Sequence, residues 1–269
     1  MSDRPLILLT NDDGVHSFGL HAAVAACEPL GDLLVAAPIA QQTAAGRSKP
    51  VSSTGRLTRV EIHVHDRIIP AYGVDASPAQ AVEHALFELA PRPVDLVVSG
   101  INYGENVGEG LAVSGTLGAA LEGASFGIPA IAISRQTAPE HFLNHRAELD
   151  FGVAAHFLRK LAAQVLAHGL PAGADLLKID VPERATPETA CRWTRQSRRR
   201  YFIPIPPQRT DDNDARPMGF ELRADPDELE ADSDVRAVIL DGVVSITPIS
   251  GDMTAAVPAA LLAGWESGC

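Results

Sequence analysis

Asp12 and Asp13 stand side by side in "LLTNDDGVHSFG" (8–19), directly after an apolar run. Two adjacent carboxylates at the end of a buried element repel each other and lose hydration unless a positive group lies between them. With hydroxyl and amide oxygens nearby and no convincing His or Cys cluster, the set suits a hard divalent cation such as Mg²⁺ or Mn²⁺ rather than zinc. The bland alternative is that one aspartate caps the next helix while the other is solvated. The strand-like residues before the pair and Gly14 after it favour the cation.

A second feature is "VSGTLGAALEG" (113–123), where Ser114, Gly115 and Thr116 open a helix. Free N–H groups and the helix dipole at such a terminus attract an anion, although Ser and Thr are also ordinary N-caps. The glycine-rich "SGINYGENVGEG" (99–110) contains Asn102 and Asn106, and its glycines can equally build turns. His16 and His21 lie close to Asp13 in sequence. They read as surface or helix-packing residues rather than general bases.

The elements that must position these residues follow from hydrophobic runs. "PLILLT" (5–10), "DLLVAAP" (32–38), "VDLVVSG" (94–100) and "PAIAIS" (129–134) are short continuous apolar stretches, as expected of strands covered on both faces. The intervening "GLHAAVAACEPL" (19–30) reads as a helix, and the resulting βαβ opening predicts a parallel sheet with right-handed crossovers. Alternation of Val60, Ile62 and Val64 predicts a half-exposed strand or hairpin over 56–74. Further helices are expected over 77–89, 114–126 and 146–168, with another strand at 174–182. The fold class is therefore α/β, with a Rossmann-like, mostly parallel sheet and helices on both faces. In such sheets ligands bind beyond the carboxyl ends of the strands, where the polar clusters at 11–13, 41–48, 99–110 and 113–116 all fall.

After Pro182 the composition becomes arginine-rich, then proline-rich, then acidic. This segment reads as a hairpin or arm followed by a mobile loop near 207–218, and the alternation at 231–254 predicts a strand that folds back on the core. Two units are expected: a metal- and phosphate-binding core at 1–182, and a C-terminal arm and tail at 183–269.

Bulk properties exclude several classes. The formal net charge of -12 over 269 residues disfavours a long nucleic acid as partner. Cys27, Cys191 and Cys269 have no metal or redox spacing and read as reduced thiols, which with the absence of a signal-like start predicts a cytoplasmic protein. No segment reaches membrane-spanning length. The chain has no P-loop, no GxGxxG after the first strand and no GxSxG elbow, and the contiguous Asp12 and Asp13 do not make the phosphoaspartyl DxD arrangement.

Taken together, "ILLTNDDGVHSFGL", "VAAPIAQQTAAGRS", "DLVVSGINYGENVG", "VSGTLGAALEG" and "VVSITPISGDMT" resemble the SurE family of 5′/3′-nucleotidases, in matching order from about Pro5 to Thr254. The resemblance implies metal-dependent hydrolysis of nucleoside 5′/3′-monophosphates, and a homodimer or homotetramer that exchanges its C-terminal tail. It implies one divalent ion per subunit, Mg²⁺ or Mn²⁺ with Ca²⁺ as a stand-in in a crystal, held by Asp12, Asp13, Thr43 and Asn102. Asp12 and Asp13 are also the implied catalytic residues. The implied phosphate contacts are Asn11, Asn106, Ser114, Gly115 and Thr116.

The chain departs from the family pattern at Thr43, where Ser is usual, at "ASPAQA" (76–81), at Val113, and at "LKIDVP" (177–182) in place of "LNVNxP". These departures keep two alternatives open: a phosphatase for a sugar phosphate or biosynthetic intermediate, and a non-catalytic nucleotide-binding regulator. Whether water or an aspartate attacks phosphorus also stays open.

Overall fold

The computed structural model describes residues 4–64, 66–142 and 149–258. Strand β1 (Leu6–Thr10) is buried along its whole length, as its unbroken apolar sequence requires. Helix α1 (Phe18–Cys27) follows, capped by the Ser17 hydroxyl on the Leu20 N–H, and leads into β2 (Asp32–Pro38). The antiparallel pair β3 (Leu57–Val64) and β4 (Arg67–Val74) is the expected hairpin, with Ile62 and Val64 buried while Thr58, Arg59, Glu61 and His63 are exposed.

Helix α2 (Pro78–His84) begins with the expected cap, a reciprocal capping box between Ser77 and Gln80 with Pro78 in the first turn. Then come β5 (Leu96–Tyr103), α3 (Gly115–Ser125), β6 (Ala130–Arg135), α4 (Gly152–His168) and β7 (Leu176–Val181). Helix α4 starts later than the expected 146, at Gly152. The first part of that expectation, 146–148, lies outside the described residues. Ala154, Phe157, Leu158, Ala162 and Val165 of α4 are buried at helical spacing.

The strands form one nine-stranded sheet in the order β3-β4-β2-β1-β5-β6-β7-β11-β8, where β8 is Cys191–Trp193 and β11 is Val244–Ile249. From β4 to β7 all neighbours are parallel. Helices α1 and α4 cover one face, where Leu20, Phe157 and Leu158 join Ile7, Leu9 and Ile133 in one apolar core. Helices α2 and α3 cover the other, with Val82, Leu117 and Ala120 against Leu8, Val97 and Ala132. Each fully buried aliphatic side chain contributes about 1.5–3 kcal/mol.

The segment after Pro182 supplies β8 and β11 to this same sheet, and β11 runs antiparallel to β7. Its arm is a separate two-stranded sheet of β9 (Phe202–Ile205) and β10 (Gly219–Leu222). The alternation at 231–254 yields one strand only, because Arg236–Leu240 winds into a single helical turn that buries Ala237 and Val238.

Candidate active site

From β1 the chain moves outward through β2 to β4, then returns to β5 and runs the other way through β6 to β7. The order therefore reverses between β1 and β5, which is where an open α/β sheet leaves a crevice at its carboxyl edge. Asp12 and Asp13 follow β1, and Asn102 lies at the end of β5.

Both aspartates are largely buried, at 6% and 7% exposure. Asp12 Oδ1 accepts the Thr116 hydroxyl at 2.6 Å, and its main-chain carbonyl accepts the Gln42 N–H at 2.7 Å. Asp13 Oδ2 accepts the Tyr103 N–H at 3.3 Å, tying the β1 loop to β5. A Cβ on Gly115 would lie 2.6 Å from both Cβ and Oδ2 of Asp12, so the first residue of α3 has to be glycine for the helix to back onto this carboxylate.

Asn102 donates its amide to the Gly104 carbonyl at 2.7 Å, which leaves the carboxamide oxygen as its acceptor. Asn106 is held twice, its N–H by Asp180 Oδ1 at 2.7 Å and its side-chain amide by Ser134 Oγ at 2.8 Å. The Ser114 hydroxyl caps α3 by accepting the Leu117 N–H at 3.1 Å. Thr43 is exposed, and its hydroxyl accepts from Gln41 at 2.6 Å.

Asp12, Asp13, Thr43, Asn102, Asn106 and Ser114 line one pocket of about 630 Å³. Three other expected residues do not reach its wall. Asn11 is fully buried and spends its carboxamide inside the loop, on Gly14 and Ser17. Gly115 backs Asp12, and Thr116 gives its hydroxyl to that carboxylate instead of to a ligand. His21 is taken up by the Val15 carbonyl, and burial lowers its pKa.

The 99–110 loop and Val113 supply part of the remaining wall, and three aromatic residues that no sequence signal had marked supply another part. Phe142, Phe202 and Phe220 form an aromatic cluster with centroids 5.6–6.4 Å apart, Phe142 stacked on Phe220 and Phe202 edge-on to both. A Cβ on Gly104, whose φ is +100°, would lie 2.5 Å from the Phe142 ring. Arg200 and Glu109 stand on the same wall as an exposed pair 3.9 Å apart. Glu105 also lines the pocket and is 3% exposed; it accepts the Tyr201 hydroxyl at 2.8 Å. Burial raises its pKa, against the opposing effect of that hydrogen bond.

Among the described residues no group of three or more His, Cys, Asp or Glu side chains could hold a metal ion. A cation between Asp12 and Asp13 would have to complete its shell with neutral oxygens, those of Asn102, Thr43 and water. That donor set fits Mg²⁺ or Mn²⁺ and does not fit zinc.

Residues 7–202 match the family described as survival protein SurE. The chain belongs to the SurE family. It is 40% identical over 251 residues to the 5′-nucleotidase SurE of Thermococcus kodakarensis, covering 93% of this chain and 94% of the relative. It is 37% identical over 263 residues to the 5′-nucleotidase SurE of Archaeoglobus fulgidus, covering 97% of each. The crystal structure of the SurE protein from Aquifex aeolicus superposes with a TM-score of 0.76 at 29% identity, covering 98% of this chain and 99% of that one. Among the described residues no helix is long and apolar enough to cross a membrane.

Proposed function

We propose that this SurE chain is a metal-dependent phosphomonoesterase that hydrolyses nucleoside monophosphates to nucleoside and phosphate. The observation that carries the reading is the convergence, on one pocket, of a buried carboxylate pair, two asparagines, a helix N-terminus and an aromatic wall. The names of the relatives, 5′-nucleotidases, agree with it.

Asp12, Asp13, Asn102 and Thr43 would hold one divalent ion, which supplies Lewis-acid polarisation of a phosphoryl oxygen and a more acidic bound water. Thr116 and Gly115 fix the orientation of Asp12, and the Tyr103 N–H fixes that of Asp13. One of these carboxylates takes the proton of the attacking water. The Asn106 side chain and Ser114, the cap of α3, line the pocket where charge would build on the phosphoryl oxygens. The rings of Phe142, Phe202 and Phe220 offer a flat apolar surface suited to a nucleobase, which favours a nucleotide over a sugar phosphate. Both 5′ and 3′ esters belong to the proposed range. The exposed Ile205 and Met218 at the loop end of the hairpin support a homo-oligomer assembled through this arm.

The test is phosphate release from a panel of 5′- and 3′-nucleoside monophosphates, ribose 5-phosphate and p-nitrophenyl phosphate, with Mn²⁺, Mg²⁺ or EDTA. Metal-dependent release, fastest with nucleotides, is expected. Faster turnover of the sugar phosphate would transfer the assignment to a different phosphatase, and tight nucleotide binding without release would make the chain a regulator.

A further inference from the structure

Lys178 on β7 is 1% exposed, and its ammonium lies between two carboxylates that are wholly buried. It bonds Asp180 Oδ2 two residues along the strand, and Asp234 Oδ2 at 3.1 Å in the segment before β11. Burial opposes its charge, but Asp180 and Asp234 outweigh that and hold its pKa above the ordinary lysine value.

A buried ion cluster gains little over a well-packed apolar one of the same volume, so its place in a fold is better judged by what its remaining lone pairs hold. Here they hold the main chain of the pocket loop. Asp180 Oδ1 accepts the Asn106 N–H at 2.7 Å, and Asp234 Oδ2 accepts the Gly108 N–H at 3.2 Å. Asp234 Oδ1 accepts the N–H groups of Ser197 and Val235, at 2.9 and 2.8 Å. Gln196 adds a bond to the Gly108 carbonyl at 3.0 Å, and Val107 packs with Tyr201, Val235 and Val238. One ammonium thus joins the loop bearing Asn106 to the segment leading into Tyr201 and Phe202, two distant pieces of the same pocket wall.

We infer that Lys178, Asp180 and Asp234 are positioning residues, a buried clamp that presets the 105–108 loop so that Asn106 meets phosphate without reorganisation. The inference rests on the proposed function, in which Asn106 contacts the phosphoryl group. None of the three touches the substrate; they act through the amides of Asn106 and Gly108. Preset donors bind an oxyanion more tightly because their ordering cost is met on folding.

The test is a double-mutant cycle of Asp180→Ala and Asn106→Ala, read as KM and as the competitive Ki of inorganic phosphate, with thermal unfolding followed alongside. Asp180→Ala is expected to raise Ki by about tenfold, the scale of one lost hydrogen bond to a charged group. In the Asn106→Ala background it should add less than about twofold, and Asp180→Asn, which keeps an acceptor, should restore most of the affinity. A merely structural clamp would lower the unfolding temperature and leave Ki unchanged, and that result, or effects that multiply in the double variant, overturns the inference.

Wild-type protein gives a second readout that needs no variant to fold. Amide hydrogen exchange at Asn106 and Gly108 is expected to be slow without phosphate and unchanged when inorganic phosphate is added. Fast exchange that slows only with phosphate contradicts presetting. Wild-type protein that binds inorganic phosphate but hydrolyses no ester contradicts the proposed function alone, leaving the exchange result to judge the clamp.

Discussion

The Thr116 hydroxyl donates to Asp12 Oδ1 at 2.6 Å, with both residues buried, so the first turn of α3 aims a carboxylate that belongs to the loop after β1. Replacing it by Thr116→Val keeps the shape and removes the donor. Loss of such an orienting partner typically weakens metal binding by about 10- to 100-fold. A Mn²⁺ activation titration should show that rise, and Thr116→Ser should reverse most of it.

Gly115→Ala should be more damaging than its size suggests. The added methyl would meet Asp12 Cβ and Oδ2 at 2.6 Å, so the carboxylate or the helix has to shift. Overpacking of this kind costs about 1–3 kcal/mol, and here the strain falls on the carboxylate itself. Activity should drop by more than about 100-fold while circular dichroism stays native, because a displacement near 1 Å at a reacting group costs on that order.

The aromatic wall predicts a split between substrates. Phe202→Ala or Phe220→Ala should raise KM for a nucleoside monophosphate by about 5- to 100-fold, the range of stacking one base on a ring. KM for ribose 5-phosphate, which has no base, should stay within about twofold. Equal losses on both would remove the rings from base recognition.

Glu105 gives a pH signature. Burial raises its pKa in the folded protein, so the folded state holds this proton where the unfolded chain releases it. Its contribution to stability is complete below its ordinary value of 4.5 and is lost as pH rises through the raised value. Glu105→Gln keeps an acceptor for the Tyr201 hydroxyl and cannot ionise. The variant should therefore gain on wild type as pH rises above 4.5, with a shallower fall in unfolding temperature.

Much of this site is readable in the sequence because its residues sit at punctuation points of a regular pattern. Asp12 and Asp13 end an apolar run, Ser114 opens a helix, and Asn102 closes the fifth strand, so topology alone sends them to one edge. The finer roles depend on contacts that span the chain. Thr116 serves Asp12 across 104 positions, and Asn11, chemically suited to a phosphate, is consumed by its own turn. Phe142, Phe202 and Phe220 carry no periodic or motif signal, since they meet only after β9 and β10 have paired. Arg236–Leu240 reads as alternation but winds into a helical turn, because over five residues the two periods are hard to tell apart.

In the proposed function, Asp12 and Asp13 hold a divalent ion that makes phosphate release fast. The most direct measurement is the steady-state release of phosphate from a nucleoside monophosphate by wild type and Asp13→Asn, each with saturating Mn²⁺ and with EDTA. Wild type with Mn²⁺ should turn over, EDTA should abolish the rate, and Asp13→Asn should be slower by at least about 1000-fold, or 4 kcal/mol of barrier. Full activity in EDTA, or an Asp13→Asn variant as fast as wild type, would contradict the account.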